Sequence, residues 1–373
     1  MTTAAPSIPA KAASTRLTSR WAGEAPIYII GLALMSLCIA LLLNKGVPVS
    51  LGGLFSSGRI FFIFAVIFAF FDTVWSLIQH RPDSPIAFYK ARYSAPKLWS
   101  SILAGLPFIA VATVILPFFS EMKSAIPLFN DYTWDETFIQ WDRALFFGYD
   151  AWQVLQPALG YPIVSASLAF LYHLWFLLLY PGVMYFAFAR MDNDVRRQFF
   201  LSYLLSWSLI GGGLATWLAS VGPCFLEPMT GNAHFNAQMA YLYAANEDIP
   251  IMVLPVQEML LEWHETSQNG LGSGITAMPS MHCAIAFLYW LAVRRLHRGW
   301  GAAFGVFALI IWISSVHLAY HYAVDGLVSL AAIAAIWALS ERIIWFWDRW
   351  LAVRSASLTQ PHAALRTKTA PAE

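Results

Sequence analysis

Charged residues are scarce in this chain of 373 residues and make up only 12% of it. A soluble domain carries about a quarter charged residues. Hydrophobic residues account for 59% and aromatic residues for 16%. They collect in runs of about 18 or more, a length that suits a bilayer rather than a soluble core. The composition therefore excludes an ordinary soluble protein and indicates an integral membrane protein.

Cysteine is rare as well, and the chain has no strong excess of charge of one sign. The three cysteines are Cys38, Cys224 and Cys283, and none has the CxxC spacing of a zinc knuckle or a redox motif. We expect unpaired thiols, with a bond between Cys224 and Cys283 as the alternative in an oxidising compartment. The net charge of +1 indicates no nucleic-acid partner. Nothing in the sequence indicates a cofactor or a protein partner.

The apolar runs predict an all-α protein with about eight membrane-spanning helices. The predicted spans are 27–44, 60–79, 99–119, 163–188, 199–220, 281–296, 300–317 and 322–347. The sixth is short, and the last two lie so close in sequence that we expect a tight antiparallel hairpin. Residues 1–26 and the tail 351–373 are polar, and we expect both to be disordered.

The distribution of positive charge predicts the orientation of these spans. If the N-terminus is cytoplasmic, all but four of the 22 Lys and Arg residues fall in cytoplasmic segments, as the positive-inside rule requires. The exceptions are Lys45, Arg59, Lys123 and Arg143. Both termini are therefore predicted to be cytoplasmic. Loops 120–162 and 221–280 are predicted to lie at the outer face, which is periplasmic or lumenal.

Both outer loops contain amphipathic patterns. Segment 131–155 places large apolar side chains among acids, which predicts an interfacial helix lying on the membrane; these side chains are Trp134, Phe138, Trp141, Leu145, Phe146 and Trp152. Segment 236–265 shows similar spacing and is predicted to form a second cap over the outer face. The alternative for both segments is ordinary packing against the outer ends of the spans.

Ionisable residues gather at the predicted outer membrane boundary, where a buried charge is costly and usually functional. His317, His321 and Asp325 are spaced by four, so they share one face if the backbone is helical. If a turn separates His317 from His321, only His321 and Asp325 share a helix face. An Asp one turn after a His accepts the imidazole N–H and fixes its tautomer, which suits the histidine to attack an electrophile. His317 is expected either to contact a phosphate or only to cap its helix.

His282 follows a glycine-rich stretch that runs from Gly270 to Ser280. Glycines such as Gly274 let backbone N–H groups approach a ligand closely. Pro279 suits the first turn of a helix, whose free N–H groups favour an anion, and Ser280 adds a hydroxyl donor. An anion cradle beside one histidine, facing a His–Asp pair, is typical of phosphoryl transfer.

Three further ionisable residues are weaker candidates for a role at the site. His173, in the fourth predicted span, is interpreted as hydrogen-bonded to a neighbouring helix, and Asp72, in the second, as structurally paired. Arg143 is the positive charge of most interest on the outer side. It is expected either to contact a phosphate over the site or to pair at the surface with Asp142 or another nearby acid.

These motifs resemble those of the type-2 phosphatidic acid phosphatase (PAP2) superfamily, which carries a P-S-x-H motif and a later S-R-x5-H-x3-D motif. The matching residues are Pro279, Ser280 and His282 in the first motif and Ser314, His321 and Asp325 in the second. The resemblance implies a six-helix core in residues 99–350, preceded by two accessory spans in residues 27–98. It also implies His321 as a nucleophile that forms a phosphohistidine, Asp325 as its orienter, His282 as the acid for the leaving group, and no metal.

Two departures from the family pattern indicate a particular branch. Ser315 stands where the second motif has arginine, and residues 221–280, where the K-x6-R-P phosphate clamp is expected, contain no Lys or Arg. The segment Gly222-Pro223-Cys224-Phe225 takes the place of the clamp. The chain thus looks like the branch of inositol phosphorylceramide synthase and sphingomyelin synthase, and residues 135–148 look like that branch too. This resemblance implies transfer of a phosphorylated head group from a phospholipid donor to a lipid alcohol.

Three other functions remain open from the sequence. Water as acceptor would make the same site a lipid phosphatase. A zinc site of His282, His317, His321 and Asp325 would make a membrane hydrolase that cuts amides, although the P-S-x-H motif has no role there. A transporter or channel is expected to show broken spans with polar residues at mid-membrane, whereas the polar residues here gather at one face.

Overall fold

The computed structural model describes residues 10–50, 52–266, 268, 270 and 272–359. Within these residues every regular element is a helix and no strand occurs, which confirms the predicted all-α class. The α-helices are α1 (Ala10–Asn44), α2 (Gly52–His80), α3 (Pro85–Tyr93), α4 (Pro96–Ser124), α5 (Asp135–Leu145), α6 (Ala151–Leu159), α7 (Pro162–Leu174), α8 (Val183–Phe188), α9 (Asn193–Leu205), α10 (Ala215–Trp217), α11 (Pro223–Thr230), α12 (Asn236–Asp248), α13 (Leu254–Glu265), α14 (Met281–Leu296), α15 (Arg298–His317) and α16 (Ala323–Thr359).

Seven helical stretches of the described chain are long and apolar enough to cross a membrane, which indicates a multi-pass membrane protein. Each corresponds to a predicted span. The predicted sixth span corresponds to α14, whose 16 residues are fewer than the about 20 that cross the apolar part of a bilayer. The count of eight is therefore not confirmed. The seven stretches are Arg20–Asn44, Gly52–His80, Pro96–Ser124, Pro162–Phe188, Asn193–Trp217, Arg298–His317 and Ala323–Ala356.

Two of these stretches are interrupted by π-helical turns, at Leu178–Gly182 and at Ser206–Leu214. The sequence analysis treated both spans as continuous helices. π-Helical turns are rare and occur frequently at functional sites. The first follows Trp175, which packs on His282. The second contains Trp207, which packs on Trp175.

Both ends of the described chain are helical where the sequence predicts disorder. α1 begins at Ala10, within the segment 1–26, and α16 continues to Thr359, within the tail 351–373. Alanine, leucine, lysine and arginine favour helix, so these segments extend the adjoining spans. Residues 1–9 and 360–373 lie outside the described residues, and disorder there stays a prediction.

The close hairpin at the end of the chain is formed by α14 and α15 rather than by the last two predicted spans. α15 packs along α14, whereas α16 packs mainly on α14 and α9. Glycine makes the close approach possible, because a Cβ atom on Gly301 would lie 2.6 Å from the Cα of Arg294. α14 is thus enclosed by its neighbours, and nearly all of its side chains from Met281 to Val293 are buried.

The two amphipathic segments form four short helices, α5, α6, α12 and α13. The first amphipathic segment, 131–155, is not one helix, because Phe147 and Gly148 adopt positive φ angles of 55° and 93° and turn the chain between α5 and α6. The second segment, 236–265, forms α12 and α13. Two buried glutamines of these helices donate to the carbonyl groups that end α15: Gln238 to Val316 at 2.8 Å, and Gln257 to Leu318 at 2.9 Å. They satisfy acceptors that a helix end leaves open.

Candidate active site

The segment 318–322 between α15 and α16 carries His321, and the first turn of α16 carries Asp325. The Nδ1 atom of His321 lies 3.0 Å from Oδ2 of Asp325, and the two side chains are only 8% and 0% exposed. The same oxygen accepts the N–H of Tyr322 at 3.1 Å. Because Nδ1–H donates to the carboxylate, Nε2 of the neutral ring keeps its lone pair. α15 ends at His317, so a turn separates His317 from His321. Only His321 and Asp325 make this contact.

The environment of His321 favours the neutral ring. Burial and, after it, the positive charge of Lys123 lower the pKa of His321 to about 3, against a smaller opposing effect of the Ala277 backbone. Burial acts in this direction because it disfavours the charged form of an imidazole. At neutral pH the ring is therefore unprotonated, which is the form that attacks an electrophile.

Two buried acids of α5 fix the position of the segment that carries His321. Asp142 accepts the N–H groups of Ala323 and Val324 at 2.7 and 2.8 Å and thus caps α16 from another helix. Asp135 accepts the hydroxyl of Tyr322 at 2.7 Å. The sequence analysis missed both roles. The available signal was two acids about two helical turns apart on the apolar side of an amphipathic helix.

Asp135 also holds the segment Gly222-Pro223-Cys224-Phe225, which the sequence analysis predicts to stand in place of a phosphate clamp. Its Oδ1 atom accepts the N–H of Gly222 at 3.0 Å. Gly222 has a φ of 88°, and a Cβ atom on it would lie 2.7 Å from the carbonyl oxygen of Tyr320, so only glycine fits. Cys224 donates its N–H to the Ala319 carbonyl at 2.8 Å. Residues 222–224 therefore pack directly against the segment that carries His321.

α14 begins at Met281, after the proline of the motif. Ser280 is the N-cap, and its Oγ accepts the N–H of Cys283 at 3.3 Å, so Pro279 precedes the cap and its predicted place in the first helical turn is wrong. Ser280 is fully buried. The hydroxyl of Ser329 lies 2.9 Å from the Ser280 carbonyl and 2.6 Å from that of Asp325. This contact joins the start of α14 to the first turn of α16.

His282 lies between aromatic rings in the first turn of α14. The ring of Tyr172 stacks on it with centroids 4.4 Å apart, and that of Trp175 lies 4.1 Å away. Among the described residues, no hydrogen bond engages its ring nitrogens, which leaves them free to meet a substrate. Tyr172 also stacks on Tyr320, the neighbour of His321 in sequence, with ring centroids 5.4 Å apart. The structure therefore brings the two motif histidines together.

The glycine-rich segment before His282 packs on the end of α4. Gly274 has a φ of 84°, and a Cβ atom on it would lie 2.6 Å from the backbone nitrogen of Ser124 and 2.7 Å from the carbonyl carbon of Lys123. The hydroxyl groups of Ser273 and Ser124 are 2.8 Å apart. Here the glycine allows an approach to protein backbone, a contact that the sequence analysis did not foresee.

Two of the predicted phosphate-binding residues engage other partners. The Nε2 atom of buried His317 lies 2.8 Å from the hydroxyl of Ser165 on α7. Arg143 is exposed, and its Nε atom donates to the Gly148 carbonyl at 3.0 Å. It does not pair with Asp142, whose oxygens cap α16. In the part of the chain that the structure describes, neither residue contacts His282 or His321.

The remaining ionisable residues have structural contacts. Asp72 pairs with Arg92 at 2.7 Å, which confirms the interpretation of a structural pair. His173 is bonded to the Ala169 carbonyl of its own helix at 2.9 Å rather than to a neighbouring helix. The three cysteines are free. Within the described residues, no group of three or more His, Cys, Asp and Glu side chains is arranged to hold a metal ion.

The arrangement matches what the comparison with known families finds. A sequence model of the PAP2 superfamily matches residues 136–339, which is more than half of the chain and includes His282, His321 and Asp325. The chain therefore belongs to the PAP2 superfamily, whose members are generally phosphatases and phosphotransferases. Comparison with curated proteins gave no match, and comparison with solved structures gave none either.

Proposed function

We propose that this protein is a membrane lipid phosphotransferase of the inositol phosphorylceramide synthase type. It moves a phosphorylated head group from a phospholipid donor to a lipid alcohol, such as a ceramide, through a phosphohistidine at His321. The observation that carries the proposal is the buried His321–Asp325 pair, 3.0 Å apart, next to a second histidine whose ring nitrogens have no partner among the described residues. The catalytic residues are His282, His321 and Asp325.

The reaction has two steps. In the first, Nε2 of His321 attacks phosphorus, the P–N bond forms, and the bond from phosphorus to the oxygen of the donor's lipid backbone breaks. His282, which must start this step in its protonated form, gives a proton to that leaving oxygen. In the second step the acceptor hydroxyl attacks phosphorus, returns a proton to His282, and the P–N bond breaks. Asp325 stabilises the imidazolium that forms at His321.

The surroundings of the site support a lipid substrate. A cavity of about 520 Å³ lies between α1, α4 and the π-helical turn Ser206–Leu214, and its lining is mostly apolar. Trp207 belongs to its wall and packs 6.5 Å from Trp175, which itself packs on His282. A mostly apolar cavity of this kind suits an acyl chain of the substrate.

The charge of the site supports transfer from a phosphodiester. A phosphodiester carries one negative charge, whereas a phosphomonoester carries nearly two at neutral pH. Residues 221–280 contain no Lys or Arg, so the clamp that would neutralise a second charge is missing. We further propose that the site faces the periplasm or lumen, as the positive-inside rule predicts, and that the reaction needs no metal.

The test uses purified protein in vesicles that contain a labelled phospholipid and a lipid alcohol. We expect the labelled head group on the alcohol, with no loss of activity after chelation of metals. His321→Ala should lower the rate by about a thousandfold or more, because it removes the nucleophile. His264→Ala, which changes an exposed histidine of α13, is the matched control and should leave the rate unchanged. Release of free phosphate as the only product would instead establish a lipid phosphatase.

A further inference from the structure

Lys123 lies at the end of α4, on which the glycine-rich segment before His282 packs. Gly274 packs on the backbone of Lys123 and Ser124, and Ser273 bonds to Ser124. The N–H of Gly272 donates to the hydroxyl of Ser120 at 2.9 Å, one helical turn earlier. These contacts place a lysine beside the segment that leads into the P-S-x-H motif, although the two are distant in sequence.

Lys123 differs from the other three cations predicted for the outer side. Lys45 lies over the ring of Phe129, 5.1 Å from its centroid, Arg59 is exposed on α2, and Arg143 donates to a backbone carbonyl. The charge of Lys123, by contrast, acts on both His321 and His282. Of the four cations, Lys123 is therefore the one whose charge acts on the two proposed catalytic histidines.

The ammonium group of Lys123 has no acidic partner in the described part of the chain. No salt bridge or hydrogen bond engages it there, and the acid nearest in sequence, Glu121, accepts the N–H of Ser50 at 3.2 Å instead. The side chain is half-buried. A cation taken partly out of water without a counter-ion is unfavourable, and an anionic group bound at the two histidines would offset that cost.

We propose that Nζ of Lys123 binds the phosphate of the substrate and supplies the positive charge that the missing arginines provide elsewhere in the family. The substrate class rests on the function proposed above. A single lysine matches the one negative charge of a phosphodiester, so the site takes a phosphodiester lipid in preference to a phosphomonoester. Lysine acts on phosphate as a flexible point charge and does not require the planar two-point contact of arginine.

The first experiment measures anion binding without catalysis. The melting temperature of the purified protein is followed with increasing orthovanadate, a phosphate-shaped anion, because a ligand that binds only the folded state raises that temperature. We expect a rise in the wild type and in Lys123→Arg. In Lys123→Met the dissociation constant should increase about tenfold or more. Lys45→Met, which changes an exposed lysine at the same side, is the matched control and should behave like the wild type.

The second experiment measures kcat and KM for a phosphodiester lipid and for a phosphomonoester lipid. Lys123→Met should lower kcat/KM about tenfold or more for the diester, and Lys123→Arg should restore most of it. Orthovanadate binding to Lys123→Met as tight as to the wild type overturns the proposal, and so does the absence of binding to the wild type. An equal loss in the Arg and Met variants, with lowered melting temperatures before any anion is added, shows a structural role and also overturns it. Anion binding that depends on Lys123, in a protein that processes neither lipid, overturns the proposed function and leaves this site in place.

Discussion

A histidine that attacks phosphorus needs one ring nitrogen with a free lone pair and a second ring nitrogen that is held by a hydrogen bond. Both conditions meet at His321, because Nδ1 lies 3.0 Å from the Asp325 carboxylate and burial keeps the ring neutral. The carboxylate is held in turn by the N–H of Tyr322. The charge of Lys123 acts in the same direction as burial on the pKa of His321. Each of these groups thus has one definable effect on the proposed nucleophile.

The pH dependence of the reaction should reflect the lowered pKa of His321. A histidine with the ordinary value of 6.5 would lose its lone pair to protonation as the pH falls through that value. Since the pKa of His321 lies at about 3, the neutral ring persists to lower pH and is lost only as the pH approaches that lower value. We therefore expect kcat/KM for a phosphodiester lipid to show no acid limb centred near 6.5 when measured from about pH 8 to about pH 5.

Lys123→Met provides the internal check on this pH profile. Removing a nearby positive charge favours protonation of the ring, so any acid limb should move to higher pH in the variant. A wild-type limb centred near 6.5 that Lys123→Met leaves in place would contradict the assignment of a neutral, buried nucleophile at His321.

α5 holds two parts of the site although it carries none of the proposed catalytic residues. Asp142 caps α16, and Asp135 joins Tyr322 to the segment at Gly222. α12 and α13 act on the other side of the same segment through Gln238 and Gln257. The short segment 318–322 is therefore fixed from several directions by outer helices, which gives the amphipathic loops a definite structural role.

Replacing Asp142 with alanine should weaken both the fold and the activity. The change leaves the N–H groups of Ala323 and Val324 without their acceptor, and a buried unsatisfied donor costs about 1–3 kcal/mol. We expect a lower melting temperature and a lower kcat with little change in the affinity for orthovanadate. Asp72→Ala is the matched control, because the Asp72–Arg92 pair is partly exposed and such pairs contribute about 0–1 kcal/mol. Equal melting temperatures for the two variants would show that the cap of α16 does not stabilise the fold.

At the scale of the whole molecule, the site, the outer helices and the sparse outer cations lie together at one end of the helix bundle. His321 lies at the junction of α15 and α16, His282 at the start of α14, and Lys123 at the end of α4. The other end carries the turn before α3 and the Arg197–Asp348 pair at 2.7 Å. The proposed catalytic residues thus lie at one end of the helix bundle.

Labelling of single cysteines in intact cells tests the orientation of these two ends. In a chain whose Cys38, Cys224 and Cys283 are replaced by alanine, Phe147→Cys should react with a membrane-impermeant maleimide, because Phe147 is 94% exposed and is predicted to be outside. Asp83→Cys, in the turn before α3, should react only after permeabilisation. The reverse pattern would show that the positive-inside rule misplaces the site.

The sequence by itself determined the features that depend on local pattern. Hydropathy predicted the all-α class and eight spans, seven of which correspond to helical stretches of the described chain that are long enough to cross a membrane, because each depends on a contiguous run of residues. Motif spacing predicted that His321 and Asp325 meet, and they do so although His321 precedes the first residue of α16, because a contact between residues four apart in sequence depends only on the local backbone. The paired motifs also indicated the superfamily to which the chain belongs.

The tertiary structure alone decided which distant residues meet at the site. Lys123, Asp135 and Asp142 join His321 across the chain, and Tyr172 and Trp175 enclose His282, whereas Arg143 and His317 turn to other partners. Local sequence pattern carries no information on such contacts, because they depend on how whole helices pack and on which glycines let backbones approach. The same packing made α14 and α15 the close hairpin. The sequence contains the P-S-x-H and H-x3-D motifs, but only the fold shows that the charge of Lys123 acts on their histidines.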